Sequence, residues 1–165
     1  MKLRPYQNEA VSAIFNQWNN GFKNTLLVLP TGTGKTVVFS KVVEEEVKDG
    51  SKALILAHRG ELLDQASDKL KVASGLDSAL EKAESTSIGS PLDVTVASVQ
   101  TLSQEKRLAR FPRDYFKTIV VDEAHHSMSQ TYQRILKHFD GARVLGVTAT
   151  PDRADQKNLG QFFNS

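Results

Sequence analysis

The sequence predicts an α/β domain: a mostly parallel sheet with helices on both faces. Five short apolar runs, at 25–29, 52–57, 93–97, 118–121 and 142–147, alternate with segments of helical spacing. Short runs that are apolar throughout are the signature of strands covered on both faces. The first two runs and the helix between them fit in roughly thirty residues, the size of a βαβ unit and hence of a parallel crossover. Polar clusters at 30–36, 58–59, 98–101, 122–126 and 148–150 all follow strand ends. Open parallel sheets bind their ligands at that carboxyl edge.

The first helix spans 5–19. Pro5 suits a first helical position, Ala10, Val11, Ile14, Phe15 and Trp18 share a face, and Asn19-Asn20-Gly21 ends it. On the residues alone, Arg4 and Gln7 read as exposed polar groups at a helix start. The run 25–29 then enters Pro30-Thr31-Gly32-Thr33-Gly34-Lys35-Thr36 and a second helix that reaches about residue 48. Strand, small-residue loop and helix N-terminus make an anion site, because the glycines let successive N–H groups turn inward and the helix dipole adds positive potential. Lys35 is placed to reach the terminal phosphates of a nucleotide, and the Thr36 hydroxyl to ligate Mg²⁺. The general pattern GxxxxGK[ST] has glycine where this chain has Leu29.

In the second helix Val37, Val38, Val42 and Val43 are expected to face the core. Glu44-Glu45-Glu46 reads as a solvated face, and Asp49-Gly50-Ser51 closes the helix. After the run 52–57 come His58-Arg59-Gly60 and a helix beginning near Glu61. Residues 74–91 are polar and Ser-rich, and read as loop and a short element. Ser98 to Leu102 turns the third run into a helix start. The segment 105–117 carries five basic and two acidic residues, the mark of a solvated face between a helix and a strand. The fourth run ends in Asp122-Glu123-Ala124-His125-His126. A helix over 130–139 buries Tyr132, Ile135 and Leu136, and the fifth run ends in Thr148-Ala149-Thr150-Pro151.

Asp122 at a strand end is placed to share the Mg²⁺ with Thr36, and Glu123 to orient or deprotonate an attacking water. Together these groups specify nucleoside triphosphate hydrolysis by positioning and charge neutralisation. Over 165 residues the net charge is +2, too little to indicate nucleic-acid binding by itself. The absence of cysteine excludes disulfides and thiolate metal sites, and with His125 and His126 adjacent rather than at the i, i+4 spacing of a helical ligand pair, zinc is not expected. No apolar run approaches the ~18 residues of a membrane span, so a cytoplasmic location is the expectation.

PTGTGKT, AHRGELLDQ, SVQTL, VVDEAHH and GVTATPDR, in that order, resemble motifs I, Ia, Ib, II and III of superfamily 2 helicases. Arg4-Pro5-Tyr6-Gln7 is similar to the adenine-reading motif that precedes them, and Leu29 in place of glycine is usual there. The resemblance runs from about residue 4 to 153. It is strongest to the group of restriction-enzyme motor subunits and Rad25-like repair helicases. It implies that residues 1–165 are a single N-terminal RecA-like P-loop NTPase domain, whose second RecA-like domain is absent from this chain. It also implies that Gln7 and Arg4 contact adenine and that Thr31 shapes the loop. Gly32, Thr33, Gly34, Lys35 and Thr36 would hold the phosphates, and Lys35, Asp122 and Glu123 would carry catalysis with ATP and Mg²⁺. His125, Thr148 and Thr150 would couple nucleotide state to nucleic acid, and Arg59, Gln100 and Thr101 would grip a DNA backbone. The implied function is an ATP-dependent DNA helicase or translocase motor. An RNA helicase domain and a non-catalytic nucleotide-dependent scaffold are the alternatives.

Overall fold

The structure, a computed structural model, describes residues 3–29, 33–57, 67–68, 70–72, 78–81, 93–122, 124 and 130–148. The elements are α1 (Pro5–Asn19), β1 (Asn24–Val28), α2 (Thr33–Val47), β2 (Ala53–Ala57), β3 (Ser78–Glu81) and β4 (Val94–Ser98). They continue with α3 (Val99–Leu102), α4 (Glu105–Leu108), β5 (Thr118–Asp122), α5 (Gln130–His138) and β6 (Arg143–Thr148). The strands form one sheet in the order β1-β6-β5-β2-β4-β3, and every pairing in it is parallel.

The five anticipated runs are strands to within a residue or two at each end. β3 is a sixth, on the sheet edge, within the stretch expected to be loop and a short element. Its sequence SALE has no apolar run to mark it.

Each central strand feeds two cores, because successive side chains point to opposite faces. Leu54 and Leu56 of β2, Ile119 and Val121 of β5 and Val144 of β6 meet Leu102, Leu108, Phe111, Ile135 and Phe139 on one side. Ala53, Ile55 and Ala57, with Val120, Leu145 and Val147, meet Ile14 and Trp18 of α1 and Val38, Phe39, Val42 and Val43 of α2 on the other. That is the physical reason the runs lack polar alternation. Val37 is only half-buried, while Phe39 and Val47 take the inward positions. Tyr132, Ile135 and Leu136 are buried as expected.

Gly21 and Gly50, just beyond the ends of α1 and α2, have φ of 93° and 85°. Both occupy the left-handed conformation that glycine adopts without a Cβ penalty. The Glu44–Glu46 run is not uniformly solvated: Glu46 is buried, because two cations from distant strands close over it. Among the described residues no helix is long and apolar enough to cross a membrane.

Candidate nucleotide site

α2 begins at Thr33, so Gly34, Lys35 and Thr36 lie in its first turn. No acidic residue occupies that turn, so the helix itself brings no carboxylate to the positive end of its dipole. Lys35 is 9% exposed, unusual for lysine, and Thr36 is half-buried.

The start of α1 is built against this turn. Pro5 opens the helix, and the Arg4 carbonyl accepts the N–H groups of Gln7 and Asn8 at 2.9 and 3.0 Å. The Arg4 N–H donates to Gln7 Oε1 at 2.8 Å. Gln7 is thereby buried, while Arg4 stays exposed. A Cβ on Gly34 would lie 3.2 Å from the Tyr6 hydroxyl, 3.9 Å from Gln7 Nε2 and 3.9 Å from Leu29 Cδ1. Glycine at 34 therefore lets the Tyr6–Gln7 corner seat directly on the first turn of α2. Tyr6, to which the sequence assigned no role, reaches the loop through its hydroxyl. The available signal was its place between Arg4 and Gln7.

Sheet order brings the other groups alongside. β6 lies between β1 and β5, with Val28 opposite Thr148 and Asp122 opposite Val147. The Leu29 N–H donates to the Thr148 carbonyl at 3.1 Å, which carries the pairing to the mouth of the loop. Thr148 is fully buried and Asp122 half-buried. At a strand spacing of 4.7–4.9 Å, the ends of β1 and β5 stand roughly 10 Å apart with Thr148 on the floor between them. A phosphate chain at the α2 N-terminus thus has an acidic side chain across from it.

Gln100 and Thr101 sit further along the same edge, beyond β2. Ser98 Oγ accepts the Thr101 N–H at 3.2 Å and caps the short α3; Gln100 is exposed and Thr101 half-buried. The residues expected to face a nucleotide therefore lie at or just past the ends of β1, β6 and β5, while Gln100 and Thr101 follow β4. Thr31, Gly32, Arg59, Glu123, His125 and Thr150 lie outside the described residues, as does the side chain of Thr33.

In the basic segment, Arg113 donates from Nε and Nη2 to the carbonyls of His138 and Lys137. Arg134 of α5 donates to the Ser103 carbonyl just past α3. These cations serve helix C-termini, where exposed carbonyls attract positive charge.

An all-parallel sheet covered on both faces, with a glycine-lysine-threonine turn opening α2 and an aspartate ending β5, is the architecture of a RecA-like P-loop domain, the fold shared by superfamily 2 helicases. The chain belongs to the family described as type III restriction enzyme, res subunit, whose model matches residues 1–153. It is 37% identical over 176 residues to IRC3 of Saccharomyces cerevisiae, whose name as an ATP-dependent helicase is provisional. That alignment covers 98% of this chain and 25% of IRC3. It is 30% identical over 158 residues to the DNA 3'-5' translocase XPB2 of Sulfurisphaera tokodaii, covering 96% of this chain and 33% of that protein. In fold it resembles the Sulfolobus solfataricus SWI2/SNF2 ATPase core in complex with dsDNA: TM-score 0.72, 23% identity, over 99% of this chain and 36% of that one. The chain thus spans about a quarter to a third of these two relatives.

Proposed function

We propose that this chain is the ATP-binding half of an ATP-driven DNA translocase or helicase, of the restriction or repair type. The observation that carries the proposal is the adjacency of three parallel strand ends. Through them the α2 turn, Thr148 and Asp122 share one edge of the sheet.

In this reading the first turn of α2 offers backbone N–H groups to the phosphates of ATP, and Lys35 adds a point charge at the terminal ones. Gln7 Oε1 has one lone pair engaged by Arg4. Its second lone pair and its NH₂ group remain to match the N6 amine and N7 of adenine. Thr36 and Asp122, on facing sides of the gap, would hold Mg²⁺, which supplies charge neutralisation between the outer phosphates. Glu123, following Asp122, would orient the attacking water. Thr148, hydrogen-bonded at its carbonyl to Leu29 beside the loop, is suited with His125 and Thr150 to relay nucleotide state. Arg59, Gln100 and Thr101 would contact the sugar-phosphate backbone, which carries no sequence information.

The test is steady-state ATPase of the full-length protein at fixed salt, with no nucleic acid, single-stranded DNA, duplex DNA or RNA. Strong stimulation by DNA alone is expected. Stimulation by RNA instead transfers the motor to RNA, and bound ATP with no stimulation by any polymer makes the protein a nucleotide-dependent scaffold.

A further inference from the structure

Glu46 lies in the last turn of α2, at the end of the sheet remote from the nucleotide site, and is 4% exposed. Its two oxygens have separate partners: Lys117 Nζ is 3.0 Å from Oε2 and Arg143 Nη1 is 3.2 Å from Oε1. Lys117 immediately precedes β5, and Arg143 is the first residue of β6. Lys117 also reaches Asp49 Oδ2 at 3.2 Å, just past α2. The Arg143 guanidinium lies 5.5 Å from the ring centre of Trp18, near the end of α1. One buried carboxylate thus joins the far ends of α2, β5 and β6, and through Arg143 that of α1. The near ends of these four elements carry Lys35 and Thr36, Asp122, Thr148 and Gln7.

We infer that Glu46 is a positioning residue for the nucleotide site, fixing the height of α2 against β5 and β6 from about 16 Å below the phosphate-binding turn. The inference rests on the proposed reading of that site. The inward residues of α2 (Val38, Phe39, Val42, Val43 and Val47) press it onto the sheet. Hydrophobic contact is non-directional, so it sets the distance of the helix from the sheet more firmly than its position along its own axis. Two charge-assisted hydrogen bonds to the roots of two different strands define that axial position. The hydrogen bonds that Lys117 donates to Glu46 and Asp49 hold its ammonium above its ordinary range against partial burial. Bridges on the outer side of α2, from Lys41 and Lys48 to Glu45, join residues of one helical surface and set nothing relative to the sheet.

The test is a titration of the full-length protein with Mg²⁺ and a fluorescent ATP analogue, well below the melting temperature, with folding checked by circular dichroism. Glu46→Asp withdraws the carboxylate by one methylene and is expected to weaken binding by about tenfold, since ångström-scale misplacement of binding groups has effects of this order or larger. Leu136→Ala, a cavity substitution in the opposite core, is expected to lower Tm and leave affinity unchanged. Should Glu46→Asp not fold, Lys117→Met removes one arm and gives the same readout. Unchanged affinity in the Glu46 or Lys117 variant, or equal weakening by Leu136→Ala, overturns the inference. Lys35→Ala tests the underlying site separately: if it leaves affinity intact, the site reading fails, whereas loss in Lys35→Ala with none in Glu46→Asp removes only the role of Glu46.

Discussion

Lys35 is the residue whose role can be checked most directly. The residue is almost wholly buried at the start of a helix that concentrates N–H donors, so in the proposed reading it would add a charge-assisted contact of about 1.5–3 kcal/mol to phosphate binding. Lys35→Ala is expected to weaken Mg·ATP binding by at least about tenfold and to leave the fold intact, since alanine is the better helix former. Calorimetric titration beside a melting curve checks both. Asp49 offers a second test at this scale. Its carboxyl is held at about 2, chiefly by hydrogen bonding to Ser51 and then by Lys117. A depressed carboxylate contributes stability above its ordinary value, and that stability is lost as the pH falls toward 2. NMR titration should show Ser51→Ala raising the Asp49 midpoint more than Lys117→Met does; the reverse order would make the lysine the dominant cause. The placement of Gly34, Lys35 and Thr36 at the start of α2 and of Asp122 at the end of β5 was legible in the sequence, because each follows or closes a short apolar run beside a turn of small or polar residues. Tyr6 was not, because its place on Gly34 comes from how α1 docks.

At the level of elements, the strands were legible because both sheet faces are covered, which forces runs such as ALILA and TIVVD to be apolar almost throughout. β3 escaped because it is a four-residue edge strand. Glu46 escaped for a different reason. In the chain it is one of three consecutive glutamates, and what separates it from the others is Arg143, 97 residues away. Removing one member of a buried ion pair costs about 3–5 kcal/mol. Here the side chains of Lys117 and Arg143 are 39% and 35% exposed and can turn to water, so Glu46→Ala is expected to cost less, roughly 2 kcal/mol. Denaturant unfolding monitored by circular dichroism measures it, and a loss below about 0.5 kcal/mol would mean that the pair behaves as an exposed one.

For the whole molecule, the proposed reading puts nucleotide and polymer at different strand ends of one edge of the sheet, β1, β6 and β5 against β4. A motor of the proposed kind must change the relation between two such bodies with each hydrolysis cycle, and in that reading this domain would supply one of them. Phosphoryl transfer also needs charge stabilisation of the leaving group, commonly by an arginine delivered from a facing domain, worth about 10³–10⁵ in rate. The residues proposed for the nucleotide include Lys35 near the outer phosphates and no arginine placed at the transferring phosphate. The 165-residue chain on its own is therefore expected to bind Mg·ATP weakly, to hydrolyse it at least ~10³-fold more slowly than the full-length protein, and to unwind nothing. Glu123→Gln in the full-length protein should keep ATP bound while stopping turnover, which separates the water-orienting step from binding. Parallel single-turnover assays of the isolated chain, the full-length protein and that variant decide the matter. Unwinding by the isolated chain above a no-enzyme control would show that one domain suffices, and turnover by Glu123→Gln would move the positioning of water to another residue.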